Sequence, residues 1–267
     1  MIALHTWTLD STPLPELLKV VRRTGWDGIE LRRLDFKRAA DAGSPPETVL
    51  ALVRESGLPV ACVGVELGWM FADGDEKKRL LAAFAESCSW AAALGCRTVM
   101  SASDRGKGDF ALAAKNVREV GDLAAASGVR LALEFNSQCE QLNRLEVVRD
   151  VLARAGHSSC GLLLDTYHLQ RSGANARSLE DVRPEEIAYV QYSDVPASGL
   201  QPGQALDRLP PGRGVVPFAS VFGAIFAKGY RGFLSYEAPN PAAWARPADD
   251  VAREAADATR AVLATVK

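Results

Sequence analysis

Four side chains with oxygen donors end, or nearly end, apolar runs in the second half of the 267-residue sequence: Glu134 in RLALEF, Asp165 in CGLLLD, Gln191 in IAYVQYSD and Glu237 in FLSYE. Three carboxylates facing one site repel, and each raises the pKa of the others unless a cation compensates them. A hard divalent ion removes that conflict. An all-oxygen donor set suits Mg²⁺ or Mn²⁺ better than a metal that prefers thiolate or several imidazoles. Taken singly, each residue reads more readily as a strand cap or as half of an ion pair. Their recurrence at equivalent strand ends is what points to one shared metal centre.

The elements that must carry these residues alternate from end to end of the chain. Strand-like runs fall at 2–7, 28–31, 60–67, 97–102, 130–135, 160–165, 187–194 and 233–237. Between them lie stretches with apolar residues three and four apart, such as LPELLKVVRRTGW and RLEVVRDVLARAG, the spacing of helices packed on a sheet. Gly25, Gly57, Gly95, Gly128, Gly156 and Gly229 each precede a strand, where a left-handed residue closes a helix. Eight βα units in a chain near the usual length of about 250 residues predict one α/β domain over 1–267, a single closed (β/α)8 TIM barrel. An open doubly wound sheet is the rival, but the first strand runs into TWTLDSTPLPE without a glycine-rich phosphate turn. In a barrel the active site lies at the C-terminal strand ends, which places the four oxygen donors on strands five to eight around one mouth. Residues 194–218, DVPASGLQPGQALDRLPPGRGVVPF, are too long for a plain connection and read as a functional loop over that mouth. The earlier segment LRRLDFKRAADAGSPP reads as a second loop, one that closes over the pocket or joins a subunit interface in a homo-oligomer.

Composition excludes several functions. With 31 Lys and Arg against 33 Asp and Glu, the net charge of −2 offers no basic field for a nucleic-acid backbone. No apolar run has membrane-spanning length, and MIALHTWTLD lacks the basic and apolar segments of a signal peptide. Five scattered cysteines form no CxxC or Cys/His cluster, so neither a disulfide framework nor a zinc ribbon is expected. These features predict a reduced, cytoplasmic protein whose partner is a small-molecule substrate, with no nucleic acid and no membrane.

LEFNSQCE, GLLLDTYHLQRSG, YVQYSDVP, PPGRG and GYRGFLSYE together resemble the xylose-isomerase-like TIM barrels, which include sugar isomerases and epimerases, hydroxypyruvate isomerases, inosose-processing enzymes and 3-dehydroshikimate dehydratases. The resemblance implies that Glu134, Asp165 and Glu237 bind one divalent metal, Mn or Mg. Gln191 departs from the histidine common at its position but keeps a ligand, as in some members. It further implies that His168, three residues after Asp165, touches a substrate oxygen, and that Glu140, six after Glu134, holds the substrate. Arg213 in PPGRG is a candidate contact through its forked donors, its plainer reading being a solvated loop arginine. His5, at the end of the first strand, is placed to line the pocket.

By the same resemblance, Glu134 and Glu237 form an acid/base pair on opposite sides of the substrate. Proton abstraction beside a metal-polarised carbonyl gives an enediolate. Reprotonation then yields an epimer or an isomer of a small polyhydroxylated carbonyl compound such as a sugar, keto-sugar or inosose. The alternative is a dehydratase or lyase, such as a 3-dehydroshikimate dehydratase or a 3-keto-sugar eliminase, although LEFNSQCE lacks the alanine- and tryptophan-containing continuation of those dehydratases. The phosphodiesterases of the barrel-type endonucleases hold several zinc ions with many histidines, and three histidines in this chain speak against them. A sugar-binding barrel without catalysis is the reading left if no metal binds.

Overall fold

A computed structural model describes residues 1–266. Eight strands, β1 (Ile2–His5), β2 (Gly28–Leu31), β3 (Val60–Gly64), β4 (Thr98–Ala102), β5 (Arg130–Glu134), β6 (Cys160–Asp165), β7 (Ile187–Tyr192) and β8 (Leu234–Tyr236), form one closed parallel barrel in chain order. The ring closes where Ile2 pairs with Leu234. The helices around it are α1 (Leu14–Arg23), α2 (Arg33–Asp41), α3 (Pro46–Ser56), α4 (Gly74–Ala93), α5 (Phe110–Ala126), α6 (Leu145–Ala155), α7 (Thr166–Arg171), α8 (Phe218–Ala227), α9 (Pro241–Trp244) and α10 (Ala248–Leu263). The barrel is thus the (β/α)8 fold expected from the alternation of runs. The six glycines picked out as helix ends all take positive φ, from 59° to 82°.

Strand register decides which residues face inward. Successive side chains of a strand point to opposite faces, and laterally paired residues in a parallel sheet share a face. Asp165 pairs with Gln191, Gln191 with Ser235, and Glu134 with Leu163, two residues before Asp165. Glu134, Asp165, Gln191 and Ser235 therefore point into the barrel, and Glu237 follows Ser235 by two. Beneath them Ala3, Cys62, Met100, Ala132, Leu163 and Tyr189 fill the interior as a small apolar cluster. The alternate residues, including Leu131, Leu133, Leu162, Leu164 and Val190, belong to the larger core between sheet and helices. Truncating one of these to alanine costs roughly 2–5 kcal/mol, so the outward face fixes the register that aims the inward one.

The segment 31–46 differs from expectation: it is not a loop, because Arg33–Asp41 forms α2. The Asp35 carboxylate accepts the Arg32 N–H at 2.8 Å and so caps the helix start, while Phe36 stacks on Trp90 with ring centroids 4.1 Å apart. The long stretch between β7 and α8 is irregular, as expected, but it is firmly latched. Asp194 and Leu209 exchange two backbone hydrogen bonds, at 2.8 and 3.0 Å. The Asp194 carboxylate also accepts the N–H groups of Val195, Gly214 and Val216, at 2.9, 2.8 and 2.9 Å.

Gly214 makes this latch possible, since a Cβ there would overlap the Val195 carbonyl oxygen and lie 2.6 Å from Asp194 Oδ1. Gly214→Ala should destabilise the protein by about 1–3 kcal/mol in urea unfolding. Gly223→Ala, in α8 with nothing within 4 Å of its added carbon, should stabilise it by roughly 0.5–1 kcal/mol. Equal effects at the two glycines would remove the latch from this account.

Candidate active site and metal centre

Burial concentrates four carboxylates at the C-terminal mouth: Glu30 from β2, Glu134 from β5, Asp165 from β6 and Glu237 just after β8. Gln191 of β7 completes the ring. Asp165 has two tasks. Its Oδ1 accepts the Tyr167 N–H at 2.9 Å and caps α7, which turns His168 back over the mouth. Its Oδ2 lies 3.9 Å from His168 Nε2, and His168 Nε2 lies 3.9 Å from Glu134 Oε1. Ligand atoms of Glu134, Asp165 and His168 all fall within 4.8 Å of one another.

Arg208 enters this cluster from the latched loop, 3% exposed. Its Nη1 donates to Asp165 Oδ2 at 2.7 Å and to Glu237 Oε2 at 3.1 Å, and its guanidinium lies 4.4 Å from the centre of the Tyr167 ring. Its Nη2 lies 3.2 Å from His168 Nε2. Arginine cannot accept a hydrogen bond, so in that contact Nε2 of His168 is the acceptor, while Nδ1 lies 2.9 Å from Ser137 Oγ and 3.3 Å from the Ser137 N–H. Burial, with Arg208 alongside, lowers the His168 pKa to about 3, and the ring is neutral.

One guanidinium does not balance four carboxylates. Burial, then the charges of Asp165 and Glu237, push Glu134 well above the usual carboxyl range. Burial raises Glu237 to about 7 against the pull of Arg208, and burial followed by Glu237 raises Glu30 to about 8. Burial opposes ionisation of Asp165 most strongly of any one influence, but Arg208, His168 and the Tyr167 N–H together hold its pKa below the ordinary value. Buried Oε1 atoms of Glu134 and Gln191 have no hydrogen-bond partner among the described residues. Excess negative charge together with orphaned oxygens is what a cation would satisfy, so the donor set fits a divalent metal.

Of the residues expected at the site, Glu134, Asp165, Gln191, Glu237, His168 and His5 come together. His5 Nε2 lies 3.7 Å from Glu30 Oε1 and 3.5 Å from Glu237 Oε1. Glu140 does not join them: it is exposed and paired with Lys107 at 3.2 Å. Arg213 is exposed too and lines a cleft of about 250 Å³ with Arg208, Asn240 and Arg246. Among the described residues its side chain makes no bond to the cluster. Two residues were not anticipated, Glu30 and Arg208. The alternation within GIEL, which puts Glu30 on the face opposite Ile29, was the one available signal for the first.

The chain belongs to the xylose isomerase-like TIM barrel family, whose profile matches residues 18–262. It is 29% identical over 257 residues to a 3-dehydroshikimate dehydratase of Pseudomonas aeruginosa, covering 92% of this chain but 39% of that protein. An inosose isomerase of Bacillus velezensis is 27% identical over 152 residues, 56% of this chain and 54% of its own length. The chain therefore spans about half or less of these curated relatives. Among solved structures, the IOLI protein with a bound zinc atom shares the fold with a TM-score of 0.88 at 20% identity, covering 100% of this chain and 99% of that one.

Carboxyls that hold protons in the fold and release them on unfolding make stability fall with pH. Glu30 and Glu237, at about 8 and 7 against an ordinary 4.5, set the window. Their contribution is complete below about 4.5 and lost as pH rises through 7 to 8. The surface carboxylates Asp10, Glu76 and Asp249, whose pKa values are lowered, act only in more acidic solution. Buried His5 and His168, whose pKa values are lowered, act the other way and add stability as pH rises toward the ordinary 6.5. The melting temperature of chelator-treated protein should therefore drop between roughly pH 6.5 and pH 8.5, where only the carboxyl titrations remain, and Mn²⁺ should restore it at the alkaline end. A flat or rising profile in chelator would contradict the assignment.

Proposed function

We propose that the protein is a divalent-metal-dependent isomerase or epimerase acting on a small polyhydroxylated carbonyl compound, through removal and return of a proton beside the carbonyl. The observation that carries this reading is the pair of buried glutamates with raised proton affinity, Glu134 and Glu237, delivered to one mouth by β5 and β8. A base with a pKa near the working pH combines a useful ionised fraction with real affinity for the proton; Glu237 stands at about 7 in the metal-free site, and a bound cation would lower it and hold it ionised as the base. Glu134, pushed well above the ordinary range while no cation compensates the cluster, is the second such group, and once a cation is bound it is ionised and able to take up a proton in its turn. Asp165 stays ionised and, with the free Oε1 of Gln191, supplies fixed negative character for a cation. A divalent ion held by Glu134, Asp165, Gln191 and Glu237 supplies the positive charge that acidifies carbon beside a carbonyl. Mn²⁺ or Mg²⁺ suits this oxygen-rich set, and the zinc atom bound by the IOLI protein supports a metal in a barrel of this fold. Arg208 and neutral His168 offer a donor and an acceptor for substrate oxygens. Burial of the whole group keeps water from competing for the proton.

Dehydration is the second reading, favoured by the dehydratase name of the Pseudomonas aeruginosa relative that matches 92% of this chain. The same abstraction begins it. A neutral His168 with a pKa of about 3 is poorly placed to protonate a departing hydroxyl, so that proton would come from a glutamate.

Incubation with ketoses, inososes, hydroxypyruvate and 3-dehydroshikimate in D₂O with Mn²⁺, read by mass spectrometry, separates the two. Isomerisation incorporates deuterium at unchanged composition. Loss of one water from a cyclic keto acid or keto sugar, without an isomeric product, would make the dehydratase reading correct.

On whichever substrate turns over, Glu134→Gln and Glu237→Gln should each lower kcat by at least the roughly 10²–10⁴ expected for a lost acid or base, and His168→Ala by less. Near-normal turnover in either glutamine variant would remove the acid/base assignment.

A further inference from the structure

Gln191 poses a problem that an imidazole or a carboxylate at its position would not. The two ends of a side-chain amide are nearly the same shape and exchange by a half-turn, yet only Oε1 can ligate a cation; an Nε2 end turned inward would set N–H groups against it. Something outside the metal site has to choose. Across the barrel from β7, Glu30 is fully buried, and its Oε1 lies 2.8 Å from Gln191 Nε2. The Tyr189 hydroxyl donates to the other oxygen, Glu30 Oε2, at 3.1 Å. His5 Nδ1 accepts the Trp7 N–H at 3.0 Å, so the neutral ring carries its proton on Nε2, which lies between Glu237 Oε1 at 3.5 Å and Glu30 Oε1 at 3.7 Å. A cation bound in the cluster favours the ionised, acceptor-only form of Glu30; both of its oxygens then face donors, and Gln191 satisfies that pattern by directing its amide nitrogen at Glu30. The same rotation leaves Gln191 Oε1 buried and without a partner, beside Asp165, whose Cα is its register partner.

We propose that Glu30 is a positioning residue, which by accepting the Gln191 Nε2 hydrogen bond fixes Gln191 as an oxygen ligand of the metal. The inference rests on the metal reading given above and adds an outer carboxylate to it. Partners of this kind orient ligands, and their loss weakens metal binding by about 10- to 100-fold.

The test is Mn²⁺ affinity of the full chain, measured by electron paramagnetic resonance of the free ion, in wild type, Glu30→Gln, Gln191→Ala and the double variant. Glu30→Gln keeps the shape but lets the two amides pair in either sense. It should weaken Mn²⁺ binding about 10- to 100-fold when Gln191 is present and cause no further loss when Gln191 is alanine. Wild-type affinity in Glu30→Gln, or the same loss in both backgrounds, overturns the positioning role while leaving the metal site standing. No Mn²⁺ binding by wild type overturns the metal reading and this inference together. Should Glu30→Gln fail to fold, the side-chain ¹⁵N–¹H resonances of Gln191 in wild type, assigned through Gln191→Ala, decide. With Mg²⁺ bound, a Gln191 amide proton protected from exchange is the expected result. Rapid exchange of both protons overturns the proposal.

Discussion

Everything at the barrel mouth follows from gathering four carboxylates into a space too dry to ionise them all. Taking a carboxylate out of water disfavours its charged form, and a neighbour of like charge adds to the penalty. The chain relieves this unevenly: Arg208 is bonded to Asp165 and Glu237, while Glu134 keeps an oxygen with no partner. Unequal relief separates the roles. Asp165 is held ionised, whereas Glu134, Glu237 and Glu30 have raised affinities for protons. Were the four equally solvated, all would be spectators of ordinary acidity. A cation bound here and a proton moved here would draw on the same imbalance, which is how the proposed reaction would use one set of residues for both tasks.

Barrel geometry makes that crowding tolerable. The small apolar cluster under the mouth, with Leu163 directly below Asp165 on its strand, leaves the polar ends one open direction. Outward residues of the same strands lock into the helical shell, so a one-residue slip, which would turn every carboxylate into that shell, is opposed by the whole core. Rigidity of the site is therefore borrowed from residues that never touch it.

The sequence made the strand-borne part of the site legible because a strand end has a defined direction: an acidic residue closing an apolar run in a barrel has one place to point. Offsets carried over from relatives fared according to what lies between. His168 lies in α7 within one turn of Asp165, and helical geometry preserves a three-residue spacing. Glu140 is separated from Glu134 by irregular chain, where a six-residue spacing fixes no direction, and it ends at the surface beside Lys107. α2 has no clear signature in the sequence because its stabilisation is tertiary and capping in origin: only Asp35 and Phe36 are buried, so no apolar stripe announces it. Glu30 is not legible in the sequence because a single acid inside a four-residue strand resembles a solvent-facing alternation until the ring closes and shows that its side of the strand is the inside.

Arg208 shows a different limit, since no periodicity governs a long loop and the neighbouring PPGRG drew attention to Arg213 instead. What places Arg208 is the backbone exchange between Asp194 and Leu209, a contact spanning fifteen residues that involves no side chain of Leu209 and leaves no compositional trace. The latch begins two residues after β7 ends, so the loop carrying the cation is anchored to the strand that carries Gln191. A substrate oxygen that takes over a hydrogen bond of Arg208 competes directly with Asp165 and Glu237 for the guanidinium. Substrate binding would then shift the proton affinity of Glu237, whose pKa Arg208 holds down. A group drawn away from Glu237 would strengthen it as a base at the moment the substrate arrives, which couples recognition to proton abstraction without any movement of the barrel. In the proposed reaction, whether the abstracted proton would return or a hydroxyl depart depends on what faces the far end of the substrate. Those surroundings belong to the loops rather than to the ring of ligands, and one ring can serve enzymes of both kinds.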